Sequence, residues 1–105
     1  MVWHPARVVE LTDYARSVLD VVALIPPGSV MTYGDVAEYL GTGSARTVGM
    51  VMSRYGGEVP WQRVVPASGV PAERIRERAL VLLRQEGCPL RGERVLLSEA
   101  RWDGR

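Results

Sequence analysis

Phenylalanine and lysine are both absent from this chain of 105 residues, which has a single cysteine and a single histidine. One cysteine excludes an internal disulfide and any cysteine-rich zinc site. The lone His4 cannot build a His-Glu metal motif, and no P-loop or dinucleotide fingerprint occurs. No metal and no cofactor are therefore expected. Long apolar runs are missing too. Val21 to Ile25 and Ala79 to Leu83 fall far short of the ~20 residues that a membrane span needs. The first ten residues, MVWHPARVVE, lack the uninterrupted apolar core of a signal peptide. The expectation is a cytoplasmic protein with no membrane partner.

The length suits one domain, and 47% hydrophobic with 24% charged residues is ordinary for a globular chain. The net charge of +1 hides an asymmetry. Residues 1–45 carry two Arg against five acids, hence −3; residues 46–105 carry eleven Arg against seven acids, hence +4. Every cation is Arg, which can fork onto phosphate and stack on bases. GC-rich coding produces the same bias without functional meaning.

Residues 1–11 read as a loose lead-in to a single domain over 12–105. Thr12 or Asp13 can cap a first helix to about Ile25, with Tyr14, Val18, Leu19, Val22 and Ile25 as its buried stripe. Pro26 and Pro27 end it. Thr32 with Asp35 reads as a capping box opening a second helix, and Gly41 suits the left-handed position after it. Ser44 caps a third helix that Gly56-Gly57 terminates. Two short helices joined by a Gly-containing turn form a helix-turn-helix candidate.

On the third helix, Val48, Val51, Met52 and Tyr55 should face the core. Arg46, Gly49, Met50 and Ser53 fall on the other side, where a solvated face would carry Glu or Gln. Gly49 costs about 1 kcal/mol of helix propensity relative to Ala. It either lets a docking partner approach closely or permits close helix-helix packing. Beyond it, VPWQRVV reads as a short β-rich segment. A fourth helix is expected over about Ala72 to Glu86, with Ile75, Ala79, Leu82 and Leu83 inward. Val95 to Leu97 suggest a short strand or hairpin arm, and Ser98 to Trp102 a last turn that tucks Trp102 against the core. The fold class expected is mainly α, winged-helix-like, with short β segments. No pair of acids stands out as an acid/base couple, and Cys88 has no visible base beside it; a small buried apolar role suits it better.

TYGDVA, SARTVGMVM and PWQRVV, in that order and spacing, resemble the DNA-binding domain of O6-alkylguanine-DNA alkyltransferases over roughly residues 12–103. In those enzymes the third block reads Pro-Cys-His-Arg-Val, and its Cys accepts the alkyl group. Here Trp61 stands in the place of that Cys and Gln62 in the place of the His. The chain thereby resembles the alkyltransferase-like proteins, which bind alkylated DNA without repairing it.

The resemblance implies minor-groove docking by the third helix, through Ser44, Ala45, Thr47, Gly49, Met50 and Ser53. It implies that Arg46 fills the gap left by an extruded base, and that Tyr33 crowds the neighbouring phosphate and helps rotate the nucleotide out. Extrusion costs a few kcal/mol and least for damaged pairs. The pocket for the alkylated base would be formed by Pro60, Trp61, Val64, the Ala67-Ser68-Gly69 loop and Arg74, with Arg78 a rival to Arg74. Arg63 is expected to brace the segment as a buried, paired residue. The implied partners are double-stranded DNA containing O6-alkylguanine and nucleotide excision repair proteins, met by a monomer that is nucleoid-associated when on DNA. Two alternatives stand beside this sensor: an active alkyltransferase using Cys88, and a winged-helix transcription regulator reading the major groove.

Overall fold

The structure is a computed structural model that describes the backbone from Pro5 and the side chains from Asp13 to Arg105; His4 lies outside the described residues. Helix α1 spans Pro5–Leu24. Its start corrects the expected lead-in: residues 5–11 carry helical backbone, and Thr12 and Asp13 lie within the helix instead of capping it. Proline is suited to a first helical position because its missing N–H has no partner there anyway. The inward stripe is Ala15, Val18, Val21, Val22 and Ile25, with Tyr14 and Leu19 partly buried beside it.

A two-residue strand β1 (Met31–Thr32) leads into α2 (Tyr33–Leu40). The start of α2 is built as the sequence implies. Asp35 N–H donates to Thr32 Oγ1 and Thr32 N–H donates to Asp35 Oδ2, both at 3.0 Å. Gly41 ends α2 in the left-handed region, at φ 76°. Helix α3 (Ala45–Tyr55) follows a four-residue turn and opens on a second capping box, between Ser44 and Thr47. At Gly43, φ is 82° and the space a side chain would need is filled by the Tyr14 ring. The Tyr14 hydroxyl lies 2.9 Å from Thr47 Oγ1, fastening α1 to the first turn of α3.

Strand β2 (Val64–Val65) pairs with β1 in parallel, Met31 opposite Val64 and Thr32 opposite Val65. Val30 forms a further parallel bridge with Arg101. Neighbouring residues of a strand face opposite ways, and that alternation divides the interior. Met31 and Val64 join the core under α1, α2 and α3. Val30 and Val65 join a second core with Leu83, Cys88, Val95 and Ala100. The second core is covered by α4 (Arg76–Gln85), the hairpin β3 (Leu90–Arg91) with β4 (Arg94–Val95), and the single turn α5 (Leu97–Ala100). The architecture is thus mainly helical, a helix-turn-helix with a small hairpin wing.

Three expectations change. VPWQRVV opens on a turn at Val59 and Pro60 and a 3-10 turn at Trp61–Arg63, and only its last two residues form a strand. The fourth helix begins as a 3-10 turn over Glu73–Ile75 and buries Leu80 along with Ala79 and Leu83, leaving Leu82 half-buried. Tyr55, expected to face the core, is the last residue of α3 and is 37% exposed. Trp102 tucks against the first core as expected, half-buried and stacked on Tyr39 with ring centres 6.4 Å apart. Among the described residues, no helix is long and apolar enough to cross a membrane.

Candidate nucleic-acid interface

The outer face of α3 is unoccupied by protein. Val48 and Val51 are buried beneath it, while Ser44, Ala45, Arg46, Met50 and Ser53 are exposed. A Cβ added at Gly49 would meet nothing within 4 Å. Gly49 therefore does not serve close packing between helices, and the small residue leaves the surface open. Thr47 is half-buried, and its hydroxyl is engaged with Tyr14 and the Ser44 backbone. Its role in this structure is to set the start of α3.

Two depressions flank this face. One, of about 340 Å³, is lined by Tyr33, Gly49, Met52, Ser53, Gly56, Gly57, Trp61, Ala72, Arg74, Ile75 and Arg78. The other, of about 380 Å³, is lined by Thr32, Tyr33, Gly34, Ala45, Arg46, Gly49, Pro66 and Ala67. Tyr33 and Gly49 belong to both, so Arg46 stands on one side of a shared wall and Trp61 on the other. Burial pushes the Tyr33 phenol above its ordinary pKa of 10.0, so its hydroxyl is neutral at physiological pH.

Trp61 reaches its cleft because the chain around it is clamped. The Gly56 N–H donates to Met52 O at the end of α3, and a Cβ at Gly56 would lie 3.1 Å from the Met52 methyl and 3.7 Å from Trp61 Cβ. The next two residues then hold the turn down. Gln62 Nε2 donates to Glu86 Oε2 at 2.7 Å. Arg63 donates through Nε to Glu86 Oε1 at 3.0 Å, through Nη2 to Glu86 Oε2 at 2.8 Å and through Nη1 to Ile25 O at 2.8 Å. Arg63 is the paired brace the sequence suggests. The Arg78 guanidinium lies over the Trp61 ring, 5.3 Å from its centroid.

The expected pocket is brought together only in part. Trp61 and Arg74 line the first cleft, and Arg78 does as well. Ala67 lines the second depression. Pro60, Val64, Ser68 and Gly69 line neither. Pro60 precedes the Trp61 turn as its cap residue. Val64 points into the first core, as its register opposite Met31 requires. Ser68 O accepts from Arg94 Nη1 at 2.6 Å, and Gly69 O accepts from the Val95 N–H at 2.8 Å. These two tie the loop to the wing, and Gly69, at φ 84°, has Val95 O where a side chain would go. Met52, Ala72 and Ile75 were not anticipated as lining residues. Met52 comes from α3, where helical phase turned it toward the core, and Ala72 and Ile75 come from the cap and the end of the 3-10 turn before α4.

Every charged residue lining either depression is an arginine. Among the described residues, the linings hold no carboxylate, imidazole or thiol. Cys88 is buried in the second core, where burial and then the Glu86 charge raise its pKa above 9.0. Among the described residues, no group of three His, Cys, Asp or Glu side chains could hold a metal ion. The arrangement suits a ligand that is anionic outside and flat and apolar inside, which is the chemistry of a nucleotide.

Comparison with known proteins agrees. The family model of the 6-O-methylguanine DNA methyltransferase DNA-binding domain matches residues 13–88. Alkyltransferase-like protein 1 of Schizosaccharomyces pombe is 40% identical over 67 residues, 61% of this chain and 62% of that protein. A DNA base-flipping protein of Escherichia coli is 45% identical over 60 residues, 54% of this chain and 46% of that protein. The matched regions thus span less than two thirds of either relative. Among solved structures, S. pombe Atl1 in complex with damaged DNA containing O6-carboxymethylguanine superposes with a TM-score of 0.75 at 32% identity, covering 86% of this chain and 94% of that one. Mycobacterium tuberculosis OGT in complex with DNA gives a TM-score of 0.62 at 33% identity, over 71% of this chain and 50% of that one. The chain belongs to the 6-O-methylguanine DNA methyltransferase family, and the part it matches is that family's DNA-binding domain.

Proposed function

We propose that this protein is a non-enzymatic sensor of O6-alkylguanine in double-stranded DNA. Helix α3 docks in the minor groove, with Ala45, Gly49, Met50 and Ser53 against the backbone and groove floor. Arg46 enters the duplex where the damaged nucleotide leaves it; its planar guanidinium stacks between bases and can donate to the orphaned cytosine. Tyr33, at the start of α2, turns the nucleotide outward. The base enters the cleft walled by Trp61, and Arg74 stacks on it. The protein acts as a monomer and the complex marks the lesion for nucleotide excision repair.

The observation that carries this reading is the placement of Trp61 in the arginine-lined cleft beside α3, while the one cysteine is buried elsewhere. An indole offers an apolar wall to an alkyl group and has no nucleophile to receive it. Support for a DNA ligand comes from the relatives solved on DNA, one of them on damaged DNA.

The test is a binding titration on matched duplexes with guanine or O6-methylguanine at fixed salt, since phosphate binding falls steeply with ionic strength, followed by intact mass measurement. The sensor binds the lesion duplex more tightly and keeps its mass. A methyl adduct on the protein would establish alkyl transfer instead. Tight binding to one undamaged sequence without lesion preference would establish a transcription regulator.

A further inference from the structure

We propose that Arg78 makes this cleft selective for O6 substituents that end in a carboxylate, an inference that rests on the cleft receiving the extruded base. Arg74 and Arg78 are four residues apart, both line the cleft, and no carboxylate lines it with them. Among the described residues neither has an acidic partner within 4.0 Å. Arg76 between them differs, donating to Pro71 O at 2.9 Å and lying 3.7 Å from Glu93. Glu73 and Glu77, adjacent in the chain, do not line the cleft.

The two free arginines hold different places. Arg74 belongs to the 3-10 turn before α4. Arg78 lies against Trp61, the wall that meets the O6 substituent. The guanidinium is drawn to the indole ring, and its N–H groups are unspent, since Arg78 makes no hydrogen bond among the described residues. A methyl group meeting this wall gains apolar contact with Trp61, Met52 and Ile75 alone. A carboxylate beside those apolar groups would lose hydration, but the Arg78 fork can hold it through two charge-assisted hydrogen bonds.

The test compares three matched duplexes, carrying guanine, O6-methylguanine or O6-carboxymethylguanine, at one salt concentration. The intact protein should bind the carboxymethyl duplex about five- to tenfold more tightly than the methyl duplex, the worth of one partly exposed charged pair. Arg78→Met keeps a stem on Trp61 and removes the fork. It should bring the carboxymethyl-to-methyl affinity ratio down to about one, a ratio in which any share of Arg78 in holding the base itself cancels, while Arg78→Lys should restore part of the advantage. Circular dichroism of each variant establishes that it is folded. Equal preference for the two adducts by the intact protein overturns the inference. So does an equal loss on all three duplexes with Arg78→Met, which would make Arg78 a phosphate contact. Failure of the sensor reading itself looks different: neither adduct would bind above guanine.

Discussion

Arg63 and Glu86 face each other through two nitrogen-oxygen hydrogen bonds of 3.0 and 2.8 Å, each side chain only 15% exposed. Gln62 donates to the same carboxylate. One acid at the end of α4 therefore fixes the two residues that follow Trp61. The position of the cleft wall thus depends on a carboxylate that does not line the cleft.

Glu86→Gln is expected to destabilise the fold by about 2 kcal/mol, because it leaves a half-buried guanidinium without its counter-charge. The pH dependence follows from the same pair. Burial alone would raise the Glu86 pKa. The hydrogen bonds from Arg63 and Gln62, the Arg63 charge and the Gly28 N–H outweigh it and hold the carboxyl below its ordinary 4.5. A depressed folded pKa gives stability that is present above the unfolded value and is lost as pH falls through the folded one. Thermal melts of the native protein should fall as pH drops below about 4.5, and Glu86→Gln should flatten part of that fall. Asp35, also held low by Arg101 and Thr32 against the effect of burial, accounts for a further part. An unchanged pH profile in Glu86→Gln would remove the pair from the account.

The starts of α2 and α3 and the turn between them were legible because their causes are local, whereas the start of α1 at Pro5 was not. Thr32 and Asp35 satisfy each other within one turn, as do Ser44 and Thr47, and Gly41 ends α2 without help from afar. The outer face of α3 followed from helical phase alone. What the chain order hid was long-range. Glu86 lies 23 residues from Arg63, and β1 finds β2 across both helices of the helix-turn-helix. Pro60, Val64, Ser68 and Gly69 were grouped with Trp61 on the family resemblance, and they line neither depression. The cleft instead collects its walls from α2, α3, the Trp61 turn and the start of α4.

Arg46→Ala tests the finger assigned to α3. Arg46 is exposed and lines the second depression, so its loss should leave the melting temperature within about 1 °C, in keeping with a surface substitution. Lesion preference should disappear while phosphate-driven binding persists. Fluorescence of a 2-aminopurine beside the lesion would report base extrusion, which the variant should fail to produce. If affinity for damaged and intact duplexes fell by the same factor, Arg46 would be only a phosphate contact.

Cys88 should be chemically quiet. The thiolate is the reactive form, and burial, assisted by the Glu86 charge, keeps the thiol protonated. A disulfide reagent such as DTNB at pH 8 should label the native protein slowly and the denatured protein at once. Cys88→Ala should cost about 1 kcal/mol for the lost packing and leave lesion affinity unchanged. Loss of lesion binding in that variant would return the thiol to the function.

Gly49 offers the sharpest separation of stability from binding. Its backbone is helical, with no positive φ, and the space around its Cβ position is empty. A fold without a ligand has no use for glycine here. Gly49→Ala should stabilise the protein by about 0.5–1 kcal/mol, the helix propensity difference. The same methyl group would stand between the two depressions, on the face proposed above to approach DNA. Affinity for a duplex should therefore fall as the melting temperature rises, and Gly49→Leu should lower affinity further. A variant that gained stability and kept full affinity would show that α3 does not meet DNA along this face.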